Sequence, residues 1–222
     1  MDSKVENSFL YCMKVKSIDS LVRIKNELEK NRNLIDKSVY SYWQSYTCYI
    51  TSLALLVQHK DKDLVPFVNE GLSLLNDTKK KTSEHLVLMS QLLGLSAING
   101  SLMEVNVIAA KSKAYGEKSI MLDTNNLRAY LGLAMLDFYS PSILRKETTM
   151  ESLLLKAISM EDRHIDNPIL PKWGKSYAYY YLIEYYRNRK EYEKCWTHLD
   201  IALKKFPNDV RINMLKDKLK NL

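Results

Sequence analysis

The chain is poor in the residues that interrupt helices. Its 222 residues include only six glycines and five prolines. No apolar run reaches the roughly 18 residues that a membrane-spanning helix needs, so we expect no transmembrane segment. Scarce glycine and proline favour long helices joined by short connections. Apolar residues make up 46% of the chain, which excludes disorder along its whole length.

Cysteine is also scarce, and its three positions lie far apart. Cys12, Cys48 and Cys195 form neither a metal-binding pair nor a disulfide framework, so we expect reduced, buried thiols. The first residues, MDSKVENSFLYCMKVKS, show no secretory pattern. We therefore expect a cytoplasmic location, with a periplasmic or envelope location as the alternative if a leader has been removed.

The motifs of common enzyme classes are missing as well. The sequence has no G-x-S-x-G elbow and no G-x-x-x-x-G-K-[ST] phosphate loop. Cys195 and His198 lie three residues apart, but two ligands cannot make a structural metal site. We therefore predict no catalytic residue, no cofactor and no metal, in a protein that is not an enzyme.

Apolar residues at spacings of three and four recur along nearly the whole chain, and this periodicity predicts α-helices. Asn99 and Gly100 mark one helix end, and Asn208 and Asp209 supply an N-cap for the last helix. We predict about eleven helices and no sheet, over Lys4–Val15, Ile18–Lys30, Lys37–His59, Leu64–Asn76, Ser83–Ile98, Leu102–Leu122, Leu127–Tyr139, Thr148–Met160, Ser176–Arg189, Glu191–Phe206 and Asp209–Leu219.

The segment Ser176–Asp209 fits a known repeat pattern over its full length of 34 residues. The tetratricopeptide repeat (TPR) reads W-x2-L-G-x2-Y, then A-x3-F, then P, over 34 residues. Here large residues fill the first helix, Cys195 and Leu199 fill the second, and Pro207 closes the unit. Only Ile183 departs from the pattern, because a small residue is usual there. The match predicts a pair of packed antiparallel helices.

Looser repeats precede this unit. Gly71, Ser119, Ala157 and Ala202 are small residues at equivalent positions, with spacings of 48, 38 and 45 residues. The residues in excess of the 34-residue pattern are expected in lengthened helices and in connections such as YSPSILRKE and EDRHIDNPILPKWGK. We predict a single all-α domain over 1–222, a right-handed α-α superhelix of TPR-like hairpins, with a helix pair at 4–30, repeats at 36–76, 83–122, 127–160 and 176–209, and a capping helix at 209–219.

A further likeness rests on two longer stretches, AKSKAYGEKSIMLDTNNLRAYLGLAMLDFYSP and PKWGKSYAYYYL. They resemble a bacterial TPR-like family whose members carry a K-A-L-x-L-D-P-N-N-P-R-A-Y run, then Y-T-P and later P-x-W-G. The resemblance covers residues 111–209, with Thr124 in place of a usual proline and SILRKETT in place of a glycine-rich segment. Many members are envelope or exported proteins of unknown role, so the resemblance implies a fold and little about activity.

The first helices of TPR pairs line an extended binding surface. On the last such helix, the residues outside the packing set recur at helical spacing and form one stripe. We predict that this stripe, with equivalent positions on two earlier helices, forms a groove for a peptide or a partner helix. The candidate groove residues are Tyr177, Tyr180, Glu184, Arg187, Asn188, Arg128, Leu131, Met135, Leu88 and Gln91.

The six tyrosines of SYAYYYLIEYY are expected to divide between packing and binding. We predict that Tyr179 and Tyr186 are buried between helices, because a ring fills the gap between neighbouring helices. Tyr177 and Tyr180 lie on the adjacent side of the helix and are predicted to stay partly exposed.

Two alternatives stay open for the stripe. It could pack against the chain's own terminal helix, because terminal repeats usually need a cap. It could also bind RNA or DNA, since the net charge is +7 and the chain has fifteen tyrosines. Acidic residues interrupt the basic ones that follow the tyrosines, so we expect no nucleic-acid partner. The predicted function is a non-enzymatic protein–protein interaction scaffold with a protein or peptide partner of undefined identity, in an undefined oligomeric state.

Overall fold

The computed structural model describes residues 1–139, 147–161, 167 and 169–220, and these form eleven α-helices and no strand. No predicted helix bound differs from the observed one by more than two residues. The remaining residues of the two lengthened connections, 140–146, 162–166 and 168, lie outside the described residues. The helices are α1 (Asp2–Val15), α2 (Asp19–Lys30), α3 (Lys37–Val57), α4 (Val65–Asn76), α5 (Ser83–Ser96), α6 (Leu102–Leu122), α7 (Leu127–Tyr139), α8 (Glu147–Ser159), α9 (Lys175–Asn188), α10 (Tyr192–Lys205) and α11 (Val210–Lys220).

The chain divides into two compact units. The first comprises Met1–Thr124 and His164–Lys172, and the second comprises Asn125–Arg163 and Trp173–Leu222. The single domain over 1–222 therefore stays a prediction, and each unit has a helical stack of its own.

In the first unit the helices pair in sequence, α1 with α2, α3 with α4, and α5 with α6. The first helices of successive pairs also contact each other, α1 with α3 and α3 with α5. The second helix of a pair packs on the first helix of the next, α2 on α3 and α4 on α5. This is the stacking pattern of a helical-hairpin repeat.

The second unit repeats the same pattern. Helix α7 pairs with α8 and α9 with α10, while α9 also contacts α7 and α8. Helix α11 contacts both α9 and α10. It therefore takes the place that the first helix of a further pair would have.

The small residues that sequence spacing singles out are buried at helix contacts. Gly71, Ser119, Ala157 and Ala202 lie on α4, α6, α8 and α10, the second helix of each pair, and all four are buried. A Cβ atom added at Gly71 would lie 2.8 Å from Cδ1 of Leu92 on α5. These positions are small because the neighbouring helix approaches closely there.

The three cysteines are free and buried, as expected. Burial raises the pKa of the Cys48 thiol to about 12 and also raises the pKa of Cys195. Such thiols are inert, because the thiolate is the reactive form.

Helix α5 begins with a capping arrangement that buries a histidine. The Thr82 hydroxyl accepts a hydrogen bond from the backbone N–H of His85, and the Thr82 N–H donates to Nδ1 of His85 at 3.2 Å. Because Nδ1 accepts, the ring proton is assigned to Nε2, which donates to the Ser38 carbonyl at 3.0 Å. Burial lowers the pKa of His85, so the folded chain holds this ring neutral.

The neutral His85 is expected to make stability depend on pH. As the pH falls below about 6.5, the unfolded chain takes up a proton at this residue that the folded chain does not bind. We therefore expect the free energy of unfolding to fall by about 1 kcal/mol between about pH 7.5 and about pH 5.5. Urea unfolding at the two pH values measures this loss.

A second histidine, His198, also contributes to the pH dependence, so the control needs a double variant. Burial also lowers the pKa of His198, so the His85→Gln variant should keep part of the pH dependence. The variant carrying both His85→Gln and His198→Gln should keep almost none over the same range. A double variant that loses stability with acid as the original chain does would contradict the assignment.

Candidate functional site

Helix α9 starts from a glycine that no other residue replaces without strain. Gly174 precedes the helix with φ of 119°, a backbone conformation that L residues rarely adopt. A Cβ atom there would lie 2.8 Å from Cδ1 of Leu127 and 3.0 Å from Cγ of Arg128. The Arg128 guanidinium in turn donates to the Trp173 carbonyl at 2.7 Å. The NLRAY and PKWG motifs thus meet, and their contact fixes the start of α9 against α7.

The two tyrosines predicted to fill helix gaps are buried. Tyr179 is 3% exposed and Tyr186 is 2% exposed, so this part of the prediction is confirmed. The Tyr186 hydroxyl donates to Oε1 of Glu151 at 2.7 Å, and its ring stacks on His198 with centroids 5.5 Å apart. These contacts of Tyr186 join α9 to α8 and α10.

Glu184 lies on the same helix and is almost fully buried, with two cations around it. Its Oε2 accepts from Arg187 at 2.7 Å (Nε) and 2.5 Å (Nη2), and its Oε1 accepts from the Lys218 ammonium at 3.2 Å. We call Glu184, Arg187 and Lys218 the ion cluster. Both cations are partly exposed, so the ion cluster has positive charge at the surface next to a buried carboxylate.

Helix α11 covers part of the predicted stripe. The Arg211 guanidinium lies 3.6 Å from the ring centroid of Tyr177, and Lys218 is the residue that reaches Glu184. Tyr177 and Glu184 therefore pack against the terminal helix, which is one of the two alternatives left open for the stripe. Tyr177 nevertheless stays half-buried rather than fully covered, as predicted.

A group of four aromatic residues joins α9 to α7. The Tyr139 and Tyr181 hydroxyls are 2.8 Å apart, and the Tyr181 ring packs edge-on against Phe138 and Tyr180 at 5.2 and 5.3 Å. We call Phe138, Tyr139, Tyr180 and Tyr181 the aromatic cluster. Burial, together with the nearby Glu184 carboxylate, raises the pKa of Tyr180, so its hydroxyl stays protonated and able to donate.

The most accessible member of this cluster is a residue that sequence reasoning missed. Tyr139 is 68% exposed although its hydroxyl contacts Tyr181. The helix pattern places it only as the last residue of α7, where no repeat position is assigned. An aromatic pair, Phe138 and Tyr139, at the end of a first helix is the feature that could have identified it.

Several predicted groove residues are buried instead of lining a surface. Leu88 and Leu131 are 0% exposed, and both lie on first helices that contact the first helix of a neighbouring pair, α5 with α3 and α7 with α9. An accessible groove position is therefore wrong for these two residues. The same holds for the remaining buried ones, Arg128, Met135 and Gln91. The Gln91 side-chain carbonyl accepts from the Tyr49 hydroxyl at 3.1 Å, which gives it a structural role.

The other predicted positions remain available to a partner. Tyr180 and Arg187 are half-buried, and Asn188 is exposed at the end of α9. The structure brings Tyr180 into the aromatic cluster and Arg187 into the ion cluster. That these residues bind a peptide stays a prediction.

The residues that the structure describes contain no group of three or more His, Cys, Asp or Glu side chains placed to hold a metal ion. None of the helices described above combines the length and the apolar character that crossing a membrane requires.

A solved structure is similar to this chain over almost its whole length. The crystal structure of a thermophilic TPR protein from Thermus thermophilus matches with a TM-score of 0.64 and 12% sequence identity, over 98% of this chain and 100% of that chain. No protein-family model and no curated protein matches the sequence. The likeness confirms the predicted TPR-like, all-α helical-repeat fold.

Proposed function

We propose that this chain is a non-enzymatic scaffold that binds a peptide or a helix of another protein along α9 of the second unit. TPR-like folds serve in general as protein-interaction scaffolds, since their stacked first helices offer an extended surface. The observation that carries the proposal is the aromatic cluster, in which Tyr139 is 68% exposed and Tyr180 is half-buried. Rigid aromatic rings with a free edge are typical anchors of protein interfaces.

The ion cluster adds a polar end to this surface. Arg187 is held by Glu184, so its guanidinium is fixed in place while part of it faces solvent. A matching partner segment has apolar side chains for the rings and a hydrogen-bond acceptor or carboxylate for Arg187. Such a segment is what an amphipathic helix or a short peptide supplies.

The charges around α9 favour this function over nucleic-acid binding. Arg189 and Lys194 both contact the Glu191 carboxylate, at 2.7 and 2.6 Å, and Arg187 contacts Glu184. Cations paired in this way do not form the contiguous basic footprint that phosphates need. The alternative function, a nucleic-acid-binding helical repeat, predicts oligonucleotide binding that weakens steeply with salt.

We expect Tyr139→Ala and Tyr180→Ala together to weaken partner binding at least about tenfold, as loss of interface anchors does. The measurement is affinity capture from cells that contain the chain, followed by titration of the captured protein against each variant. Tyr192→Ala is the matched control, because Tyr192 is an exposed tyrosine of the same unit on α10.

The proposal fails if the partner binds the double variant and the Tyr192→Ala variant equally well. It also fails if nuclease treatment removes all captured material, since binding would then belong to nucleic acid.

A further inference from the structure

A non-helical segment of the first unit lies on the first helices of that unit. We call it the strap and define it as Asn167 and Ile169–Lys172. Its start is a local turn, in which the Asn167 side chain accepts from the Ile169 N–H at 3.0 Å and the Asn167 carbonyl accepts from the Leu170 N–H at 3.3 Å. The strap belongs to no helix pair of the unit.

Side chains of α1 and α3 hold the backbone of the strap. The indole N–H of Trp43 donates to the Ile169 carbonyl at 2.8 Å, and the Lys172 N–H donates to Oδ1 of Asp2 at 3.1 Å. Pro171, between these two contacts, is buried. Hydrogen bonds from side chains to backbone groups carry no information about the side chains of the segment they hold. A different segment with the same backbone path could therefore make them equally well.

The Trp43 side chain that holds the strap belongs to an aromatic group on α3. The Trp43 ring packs edge-on against Tyr42 at 5.1 Å and against Tyr46 at 5.7 Å, and Trp43 is only 3% exposed. Aromatic rings with an indole donor suit aliphatic and proline side chains, because both are apolar and the indole binds a carbonyl nearby. The strap has this chemistry, with the sequence Ile-Leu-Pro-Lys.

We infer that α1 and α3 form a second binding site, for peptides with an aliphatic residue followed by proline, and that the strap occupies it in the absence of a partner. The site lies in the first unit and uses Trp43 and Asp2, so it is separate from the proposed binding surface on α9. A partner peptide has to displace the strap, whose tether keeps it at a high effective concentration. Only molecules in which the strap is released can bind the peptide. The measured affinity is therefore the intrinsic affinity multiplied by the fraction of such molecules.

The test uses a fluorescein-labelled peptide with the strap sequence NPILPK and fluorescence polarisation on the full chain. Leu170→Asp places a charge on a half-buried strap side chain and is expected to release the strap. We expect this variant to bind the peptide at least about tenfold more tightly than the original chain, because the internal competitor is removed. Adding Trp43→Phe, which removes the indole donor, should weaken that binding at least about tenfold, since the carbonyl loses its partner.

The strap offers its own control. The Ile169 side chain is 53% exposed, and its contact with Trp43 is made by the backbone carbonyl, so Ile169→Asp should behave like the original chain. A scrambled peptide controls for composition. Circular dichroism establishes that each variant folds. If Leu170→Asp does not, Leu170→Ser removes the apolar strap side chain without adding a charge, leaves Trp43 and Asp2 intact, and should also tighten peptide binding.

A readout without labelled peptide follows from the tryptophans. In a chain carrying Trp173→Phe and Trp196→Phe, Trp43 is the remaining tryptophan, and its emission should shift to the red when Leu170→Asp uncovers it.

Equal peptide affinity in the original and Leu170→Asp chains, or no effect of Trp43→Phe, would overturn the inference. So would a concentration-dependent dimer that Leu170→Asp abolishes, because the site would then take the strap of a second copy. Tyr180→Ala should leave peptide binding here unchanged, which separates this test from that of the α9 surface.

Discussion

Replacing Tyr186 by alanine is expected to lower the free energy of unfolding by about 3–5 kcal/mol, the range for buried aromatic residues. The ring is 2% exposed and stacks on His198, and the Lys194 ammonium lies 4.9 Å from its centroid. Its removal leaves a cavity where α8, α9 and α10 meet, because the ring fills the space between these helices. Urea unfolding monitored by circular dichroism measures the loss.

Two further variants separate the ring from its surroundings. Tyr186→Phe removes only the hydroxyl that donates to Glu151 and should cost about 0.5–1.5 kcal/mol. Tyr180→Ala should cost about 1 kcal/mol, because Tyr180 is half-buried and solvent already reaches part of its ring. If Tyr180→Ala is as damaging as Tyr186→Ala, the whole tyrosine helix serves packing, and the binding surface has to be sought elsewhere.

Gly174→Ala is expected to cost about 2–4 kcal/mol of stability, from backbone strain and overpacking together. The φ of 119° is unfavourable for any residue with a Cβ atom, and the added methyl would meet Leu127 at 2.8 Å. Relieving the contact would move α9 away from α7 and lengthen the hydrogen bond between Arg128 and the Trp173 carbonyl. Thermal and urea unfolding of the variant measure the cost.

Gly100 supplies the matched control for this substitution. Its φ is −83°, and an added Cβ atom would come no closer than 3.4 Å to its neighbours. Gly100→Ala should therefore change stability by no more than about 0.5 kcal/mol. Similar losses at the two glycines would mean that neither strain nor close approach explains the role of Gly174.

The helices and their small contact positions could be predicted because they depend on local spacing. Gly71, Ser119, Ala157 and Ala202 follow from the repeat pattern alone, and so does the burial of Tyr186. The spacing of apolar residues along a helix shows which residues lie on the same side of that helix. That is enough to define a packing face when the neighbours come from the adjacent hairpin.

The candidate sites were less predictable, because they depend on contacts that periodicity does not contain. Leu88 and Leu131 were assigned to a groove as residues outside the packing set, yet a first helix in a stack also contacts the first helix of the neighbouring pair. The strap illustrates the same limit, since Trp43 and Ile169 lie 126 residues apart in sequence. A connection without helical spacing gives no indication of the surface on which it lies.

The ion cluster also sets an order of events during synthesis of the protein. Lys218 follows Glu184 by 34 residues, so at translation rates of about 5–20 residues per second it is made about 2–7 s later. Until Lys218 is made, Arg187 is the nearby counter-ion for a carboxylate that the finished protein buries between two cations. The 176–209 hairpin is thus fully synthesised before the second cation beside Glu184 is available. Its final packing requires the last turns of α11, which carry Lys218.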